Sequence, residues 1–280
     1  MKRIVLIDGN NLMFRSYYAT AYTGNLMKNS KGIITNALYG FVSMINKILE
    51  EEKPEYVAVA FDIGKNFRKD LYTEYKDGRK PTPDELKMQM PIARKILDAM
   101  GIKYYEIDNY EADDIIGTFA KFCDEEEEFI GTIISSDKDL LQLISPDVDI
   151  KLLKQKDYIR YNVDTFKEAY GIEPKRIIDL KALMGDSSDN IPGVPGIGEK
   201  TATKIITAYG SIESAYEHVD EIKPARAANN LREHYDLAVL SKTLATIDVH
   251  APIEVPDDLS LDRLYSEEAY ALAAKGDISK

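Results

Sequence analysis

Carboxylates dominate the side chains able to do chemistry in this sequence. Asp8 and Asp62 each end a short apolar run, at residues 4–7 and 56–61. Seven more fall in three clusters: Glu111-Ala112-Asp113-Asp114, Asp137-Lys138-Asp139 and Asp186-Ser187-Ser188-Asp189. Two like unit charges about 4 Å apart repel by roughly 1 kcal/mol in water and about 4 kcal/mol at an effective dielectric near 20, so carboxylates gathered in one cleft require counter-charge. Hard oxygen donors without imidazole or thiolate suit Mg²⁺, with Mn²⁺ as a substitute, and Mg²⁺ takes phosphate oxygens as further ligands. Two such ions about 4 Å apart activate a water, polarise a phosphodiester and neutralise the leaving oxygen. Each cluster alone has a plainer explanation: a helix-dipole complement at 111–114, a turn with an N-cap at 137–139, a polar loop at 186–190. Their joint placement favours the metal reading.

Cations form the second feature. Residues 65–80 carry Lys65, Arg68, Lys69, Lys76, Arg79 and Lys80 against Asp70, Glu74 and Asp77, in a chain whose net charge is −12. Phe67, Tyr72 and Tyr75 interleave with them, a pattern suited to phosphate contacts and base stacking, although a solvated amphipathic helix remains the alternative. Further on, the turn 194–198 places Gly196 and Gly198 ahead of a helix carrying Lys200 and Thr201. Backbone amides at such a turn can face a phosphate, and the glycines allow close approach of a nucleic-acid strand.

The elements that must position these groups follow from periodicity. Residues 4–7, 56–61 and 130–134 read as strands, each followed by aspartate, with helical patterns such as 35–52 between them. That alternation implies an α/β fold with a mainly parallel sheet flanked by helices. In such sheets functional groups collect beyond the carboxyl ends of the strands. Thr82, Pro83 and Glu85 predict a capping box with an N1 proline, and Pro91 is expected to kink or split the helix that follows. Beyond residue 162 the pattern is helical, with runs at 163–170, 174–184, 199–209 and 226–245. The expected organisation is therefore an α/β domain over 1–161 and a mostly helical region over 162–280, with a helical hairpin near 186–210.

Composition narrows the classes. An acidic balance excludes a polycation that coats nucleic acid, and an apolar share of 44 % excludes a disordered chain. The single cysteine, Cys123, and the scattered His218, His234 and His250 exclude an internal disulfide and a Cys/His zinc site. With no secretory core or long apolar run, a cytoplasmic protein with no membrane partner is expected.

The motifs together resemble the 5′ nuclease family, which comprises flap endonucleases and the N-terminal nuclease domain of bacterial DNA polymerase I. The stretches carrying the resemblance are Leu6-Ile-Asp8-Gly-Asn, Ala60-Phe-Asp62, Phe67-Arg68, Tyr75-Lys76 with Arg79, Glu111-Ala-Asp113-Asp114, Ser136-Asp137-Lys-Asp139, and the run from Met184 to Ala202. The resemblance implies a PIN-like nuclease domain and a two-metal, structure-specific hydrolase leaving 5′-phosphate and 3′-hydroxyl ends. It assigns Asp8, Asp62, Glu111, Asp113 and Asp114 to one ion, and Asp137, Asp139, Asp186 and Asp189 to the second. It places Lys76 and Arg79 at the base of a helical arch spanning about 70–95, on the scissile phosphate, with Arg68 and Tyr75 nearby. Residues 194–202 resemble the hairpin of a helix-three-turn-helix module, often with K⁺ held by backbone carbonyls. Expected partners are DNA with a 5′ flap, nick or junction, an RNA-primer strand, and a polymerase domain in cis or in trans, the chain acting as a monomer in the bacterial nucleoid. Two rivals, a non-catalytic junction-binding module and a PIN-type ribonuclease, predict lost carboxylates or a missing arch and hairpin; the sequence retains all nine carboxylates.

Overall fold

A computed structural model describes residues 1–24, 26–155, 157–254 and 259–275. The first strand, β1 (Lys2–Asp8), is apolar from Ile4 to Ile7 because both of its faces are covered. Next come α1 (Gly9–Ala21), α2 (Asn36–Glu52), β2 (Tyr56–Ala60), α3 (Phe67–Leu71), α4 (Asp84–Met100), β3 (Lys103–Tyr105), α5 (Ala112–Glu125) and β4 (Phe129–Ser135). A 3₁₀ turn (Lys138–Leu143) leads to β5 (Val148–Leu153) and β6 (Tyr158–Tyr161). The sheet order is β3-β2-β1-β4-β5-β6, parallel except for the antiparallel β5–β6 pair. The strand order reverses between β1 and β4, so a crevice opens beyond their carboxyl ends.

Alternation along the strands sends side chains to two cores. Val5, Ile7, Val57 and Val59 pack with Phe41, Leu86 and Leu97 on the face covered by α1, α2 and α4. Ile4, Leu6, Ala58 and Ile133 pack with Ile116 and Phe119 of α5 on the other face. The second core runs on into the C-terminal helices α6 (Val163–Tyr170), α7 (Ile177–Met184), α8 (Glu199–Tyr209), α9 (Ile212–Glu217), α10 (Ala225–Glu233) and α11 (Tyr235–Ala245), whereas α12 (Glu267–Lys275) lies against α4, with Ala269 near Gly101. Phe166, Leu183, Ile205 and Leu231 belong to the same apolar cluster as Ile4 and Phe119. No helix among the described residues is long and apolar enough to cross a membrane.

Several sequence expectations are corrected. Pro83 rather than Thr82 is the N-cap of α4, no side-chain cap bond forms there, and the helix runs on through the exposed Pro91 without splitting, anchored on either side of it by the buried Leu86, Gln89, Ala93 and Leu97. The run 226–245 is two helices, broken at His234. Of the arch expected over 70–95, residues 84–95 instead belong to α4, whose inner face is packed into the core: Leu86, Gln89 and Ala93 are fully buried. The physical reason is Gln89, whose Oε1 accepts from the first amides of α2, Ala37 N at 2.9 Å and Leu38 N at 3.2 Å. Its Nε2 donates to Asn36 Oδ1 at 3.1 Å and Glu85 O at 2.9 Å. One side chain of α4 thereby satisfies orphan donors of α2 and fastens the two helices together. The span between α3 and α4, residues 72–83, is the part of the expected arch that lies outside them.

Candidate active site

Register brings the first acids together. Asp8 ends β1 opposite Ala60 of β2, so Asp62 follows two residues further along the neighbouring strand. Ile7 faces Ile134 of β4, which sets Ser135 beside Asp8 and Asp137 just beyond. Asp8 Oδ2 accepts from Ser135 Oγ at 2.9 Å, and Oδ1 accepts from Asn11 N at 2.9 Å as the N-cap of α1. Asp62 is held from both sides, accepting from Ala112 N at 2.7 Å and Asn10 Nδ2 at 3.0 Å. The start of α5 brings in Glu111 and Asp113. The result is a cleft of about 160 Å³ lined by five carboxylates, those of Asp8, Asp62, Glu111, Asp113 and Asp137, with Lys76 and Arg79 at its edge. Larger grooves of about 580 and 520 Å³ lie elsewhere, but neither gathers more than two carboxylates.

The electrostatics follow from that crowding. Burial, opposed by the Asn11 bond and reinforced by the charges of Asp62 and Asp137, pushes the Asp8 carboxyl up to about 7. Asp113 is raised well above the carboxylate range by burial and by Asp137, Asp8 and Glu111. Asp139 rises to about 6, through burial and Asp137, against the pull of Lys181. Asp186 goes the other way, to about 2: burial opposes its charge, but bonds from Lys181 and Ser188 outweigh it.

The remaining acids meet cations. Asp139 and Asp186 both pair with Lys181. Asp189 pairs with Arg79, whose Nε also donates to Ser188 O at 3.1 Å. Lys76 pairs with Glu111, and its backbone N donates to Asp189 O at 2.8 Å. Lys76 sits at φ 60°, a left-handed conformation uncommon for a side-chain-bearing residue, and these two contacts hold it there. Among the described residues no three carboxylate, imidazole or thiolate groups converge closely enough to hold one ion as placed. The acids share a rim, and Lys76, Arg79 and Lys181 share their charge.

Three expected site residues lie behind that rim. Asp114 is fully buried, and its two oxygens accept four donors: Arg68 Nη1 and Nη2, Glu111 N at 3.0 Å and Asp248 N at 2.8 Å. A carboxylate offers about four lone-pair sites, so none remains for an ion, and the assignment of Asp114 to the first ion is corrected to a positioning role. Arg68, expected to touch DNA, is 2 % exposed and uses all five N–H donors inside the protein. They go to Asp114 at 2.8 and 2.9 Å, Glu111 at 3.3 Å, Leu244 O at 3.0 Å and Thr246 O at 2.7 Å. Tyr75, also 2 % exposed, donates towards Glu111 Oε2 at 3.1 Å and Asp189 Oδ2 at 3.4 Å, so its ring is not free to stack on a base.

The loop carrying Asp186 and Asp189 is shaped by glycine. Gly185 (φ 70°) and Gly193 (φ 63°) face each other across it, and a Cβ at Gly193 would collide with the Gly185 backbone. Reciprocal backbone bonds between Asp186 and Ile191 at 2.8 and 2.9 Å close the loop. In the hairpin that follows, Gly196 needs its freedom, being at φ 75° where a Cβ would come within 2.7 Å of Asn230 Nδ2, whereas Gly198 is extended and faces open space. Lys200 is exposed and Thr201 half-buried in the first turn of α8. Sequence reasoning missed Asn10, Asn11, Ser135 and Lys181, which orient the acids; Asn10 lies inside the first acidic motif, and nothing in the spacing singles out Lys181.

Comparison with known families defines the class. Residues 3–171 match the 5′-3′ exonuclease N-terminal resolvase-like domain, and 172–267 match the 5′-3′ exonuclease C-terminal SAM fold. The chain belongs to the 5′-3′ exonuclease family. Among its relatives, DNA polymerase I of Bacillus caldotenax is 48 % identical over 275 residues, covering 97 % of this chain and 31 % of that one. DNA polymerase I of Bacillus subtilis (strain 168) is 48 % identical over 257 residues, covering 91 % and 29 %. The chain spans about a third of the length of these relatives. Among solved structures, T5 5′-exonuclease with bound zinc aligns with a TM-score of 0.73 at 22 % identity, covering 98 % of each chain. Flap endonuclease-1 from Methanococcus jannaschii aligns at 0.56 and 19 %, covering 98 % of this chain and 93 % of that one. These likenesses establish the fold.

Proposed function

We propose that this chain is a Mg²⁺-dependent, structure-specific 5′-3′ exonuclease and flap endonuclease that hydrolyses a phosphodiester near a single-strand/duplex junction. The observation that carries the reading is the cleft of five carboxylates at the strand ends, faced by Lys76 and Arg79. Its donor set fits divalent cations: the acids are oxygen donors only, and burial and mutual repulsion push Asp8 and Asp113 towards the neutral form. Asp8, Asp62, Glu111 and Asp113 would hold one ion, and Asp137, Asp139, Asp186 and Asp189 the other. When bound, such ions supply water activation and neutralise charge on the phosphate and leaving oxygen.

The chain's own groups do the rest. Lys76 and Arg79 exchange their carboxylate partners for the scissile phosphate and stabilise the charge that develops on it. Asn10, Ser135 and Arg68 keep the acids oriented. Residues 1–161 carry most of the chemistry, with Asp186 and Asp189 contributed from beyond them. Residues 162–280 grip the duplex through the hairpin near 186–210, where Gly196, Gly198, Lys200 and Thr201 meet the backbone and carbonyls hold K⁺. The substrates are 5′ flaps, nicks and junctions, including an RNA-primer strand; the partner is a polymerase domain in cis or in trans, and the working form is a monomer in the bacterial cytoplasm, at the nucleoid. The test is one gel of 5′-labelled flap, nicked and single-stranded DNA with Mg²⁺, Mn²⁺ or chelator. Metal-dependent release of short 5′ products from flap and nicked DNA is expected. Cleavage that survives chelation, or binding without cleavage in saturating Mg²⁺, would refute the reading.

A further inference from the structure

Lys181, on α7, is 8 % exposed, and its ammonium is paired with Asp139 and Asp186 at once. Asp139 stands in the 3₁₀ turn after β4 and Asp186 in the loop after α7, so one side chain ties together the two stretches that would serve the second ion. The Asp186 carboxylate is oriented independently of the lysine, whereas at Asp139 it is the backbone that is fixed. Asp139 N donates to Asp137 Oδ1 at 2.8 Å, and Asp186 Oδ1 accepts from Ser188 N at 2.7 Å and Ser188 Oγ at 2.6 Å. Asp186 is thus held in place by its own loop, Asp139 is set by the turn that carries it, and the cation both carboxylates hold is Lys181. A divalent ion beside an ammonium is repelled twice as strongly as a single charge would be, so the two compete for the same acids.

We propose that Lys181 is the resident counter-ion of the second cation position, and that a divalent ion binds there by displacing its ammonium from Asp139 and Asp186. This rests on the two-ion reading above. Lys181 balances the acids, keeps the turn after β4 joined to α7, and lowers apparent affinity for the second ion by the fraction of time it stays in place. The first position, served by Asp8, Asp62, Glu111 and Asp113, shares no ion pair with Lys181 among the described residues and is unaffected by it.

The experiment is a titration of the whole chain with Mn²⁺ alone, free ion being read by electron paramagnetic resonance, for the wild type and for Lys181→Met. Two sites are expected in the wild type. In Lys181→Met one of them tightens by about tenfold or more while the other is unchanged. Equal or weaker binding at both sites would overturn the proposal, showing Lys181 to be a fixed partner. Absence of Mn²⁺ binding by the wild type would instead overturn the two-ion reading itself. Should Lys181→Met fail to fold, acetylation of wild-type lysines followed by mass spectrometry decides: Ca²⁺ makes Lys181 more reactive if its ammonium is displaced, and unchanged or lower reactivity refutes the displacement.

Discussion

Replacing Arg68 with methionine removes a guanidinium whose five donors all serve the protein interior and leaves Asp114 charged, fully buried and without its counter-ion. Burial alone would depress the Arg68 pKa; its bonds to Asp114 outweigh this and raise it, so the guanidinium is firmly charged. Breaking a buried pair from one side costs about 3–5 kcal/mol. Unfolding entropy near 2.1 cal/mol/K per residue gives roughly 0.6 kcal/mol/K for a chain of this length, so Arg68→Met should lower Tm by about 5–8 °C. Asp114→Asn removes the opposite charge and keeps one acceptor oxygen, which serves either Glu111 N or Asp248 N, since these two amides bond different oxygens of Asp114. The Arg68→Met/Asp114→Asn double variant should therefore be more stable than the two losses combined imply, by about 2 kcal/mol or more. The assay is urea unfolding followed by circular dichroism on all four members of the cycle. Additivity within about 0.5 kcal/mol would refute the argument. A companion measurement separates this role from DNA binding: the salt dependence of flap binding should be unchanged in Arg68→Met, because Arg68 neutralises no phosphate.

Other outcomes follow from particular contacts. Gly193→Ala should cost more than about 3 kcal/mol, since its Cβ meets the Gly185 backbone at a positive φ, whereas Gly198→Ala, extended and open, should change stability by less than about 1 kcal/mol; equal losses would contradict the loop geometry. Gln89→Ala should destabilise by about 2–3 kcal/mol and raise hydrogen exchange at Ala37 and Leu38, the amides it accepts from; protection unchanged at those two would dissociate it from α2. Burial pushes the Cys123 thiol up to about 12, so the fold keeps it neutral; the stability this contributes is complete below the unfolded pKa near 8.5 and is lost as pH rises towards 12. Alkylation of Cys123 at pH 8 should occur only at the rate of unfolding, and rapid labelling of the native protein would refute its inertness.

Some of this was legible in the sequence for identifiable reasons. Strands β1, β2 and β4 are covered on both faces, which writes an unbroken apolar run, and the acids that follow them fall where a parallel sheet places functional groups. The helical run begun after Thr35 shows the same clarity through its periodicity. By contrast, β5 alternates apolar residues with Asp149 and Lys151, and Lys151 is buried only because Glu51 and Glu52 of α2 receive it. A sequence displays a lysine but not partners a hundred residues away. The same limit explains Arg68 and Tyr75, which share the composition of an exposed phosphate-binding stretch yet turn inward, because their partners come from Glu111, Asp189 and the carbonyls at 244 and 246. It also explains Gln89: a polar residue in a helix of mixed character gives no sign that it closes the start of another helix.

The apolar cluster that joins the α5 face of the sheet to Phe166, Leu183, Ile205 and Leu231 has a practical consequence for dissecting the molecule. A fragment ending near residue 161 would keep every strand and α5 but lose the half of this cluster that Phe166, Leu183, Ile205 and Leu231 supply, baring apolar surface that the whole chain buries. It would also strand the guanidinium of Arg68 without the two carbonyls it reaches from the far half. Such a fragment is expected to be prone to aggregation, so the two family segments are best produced as one piece.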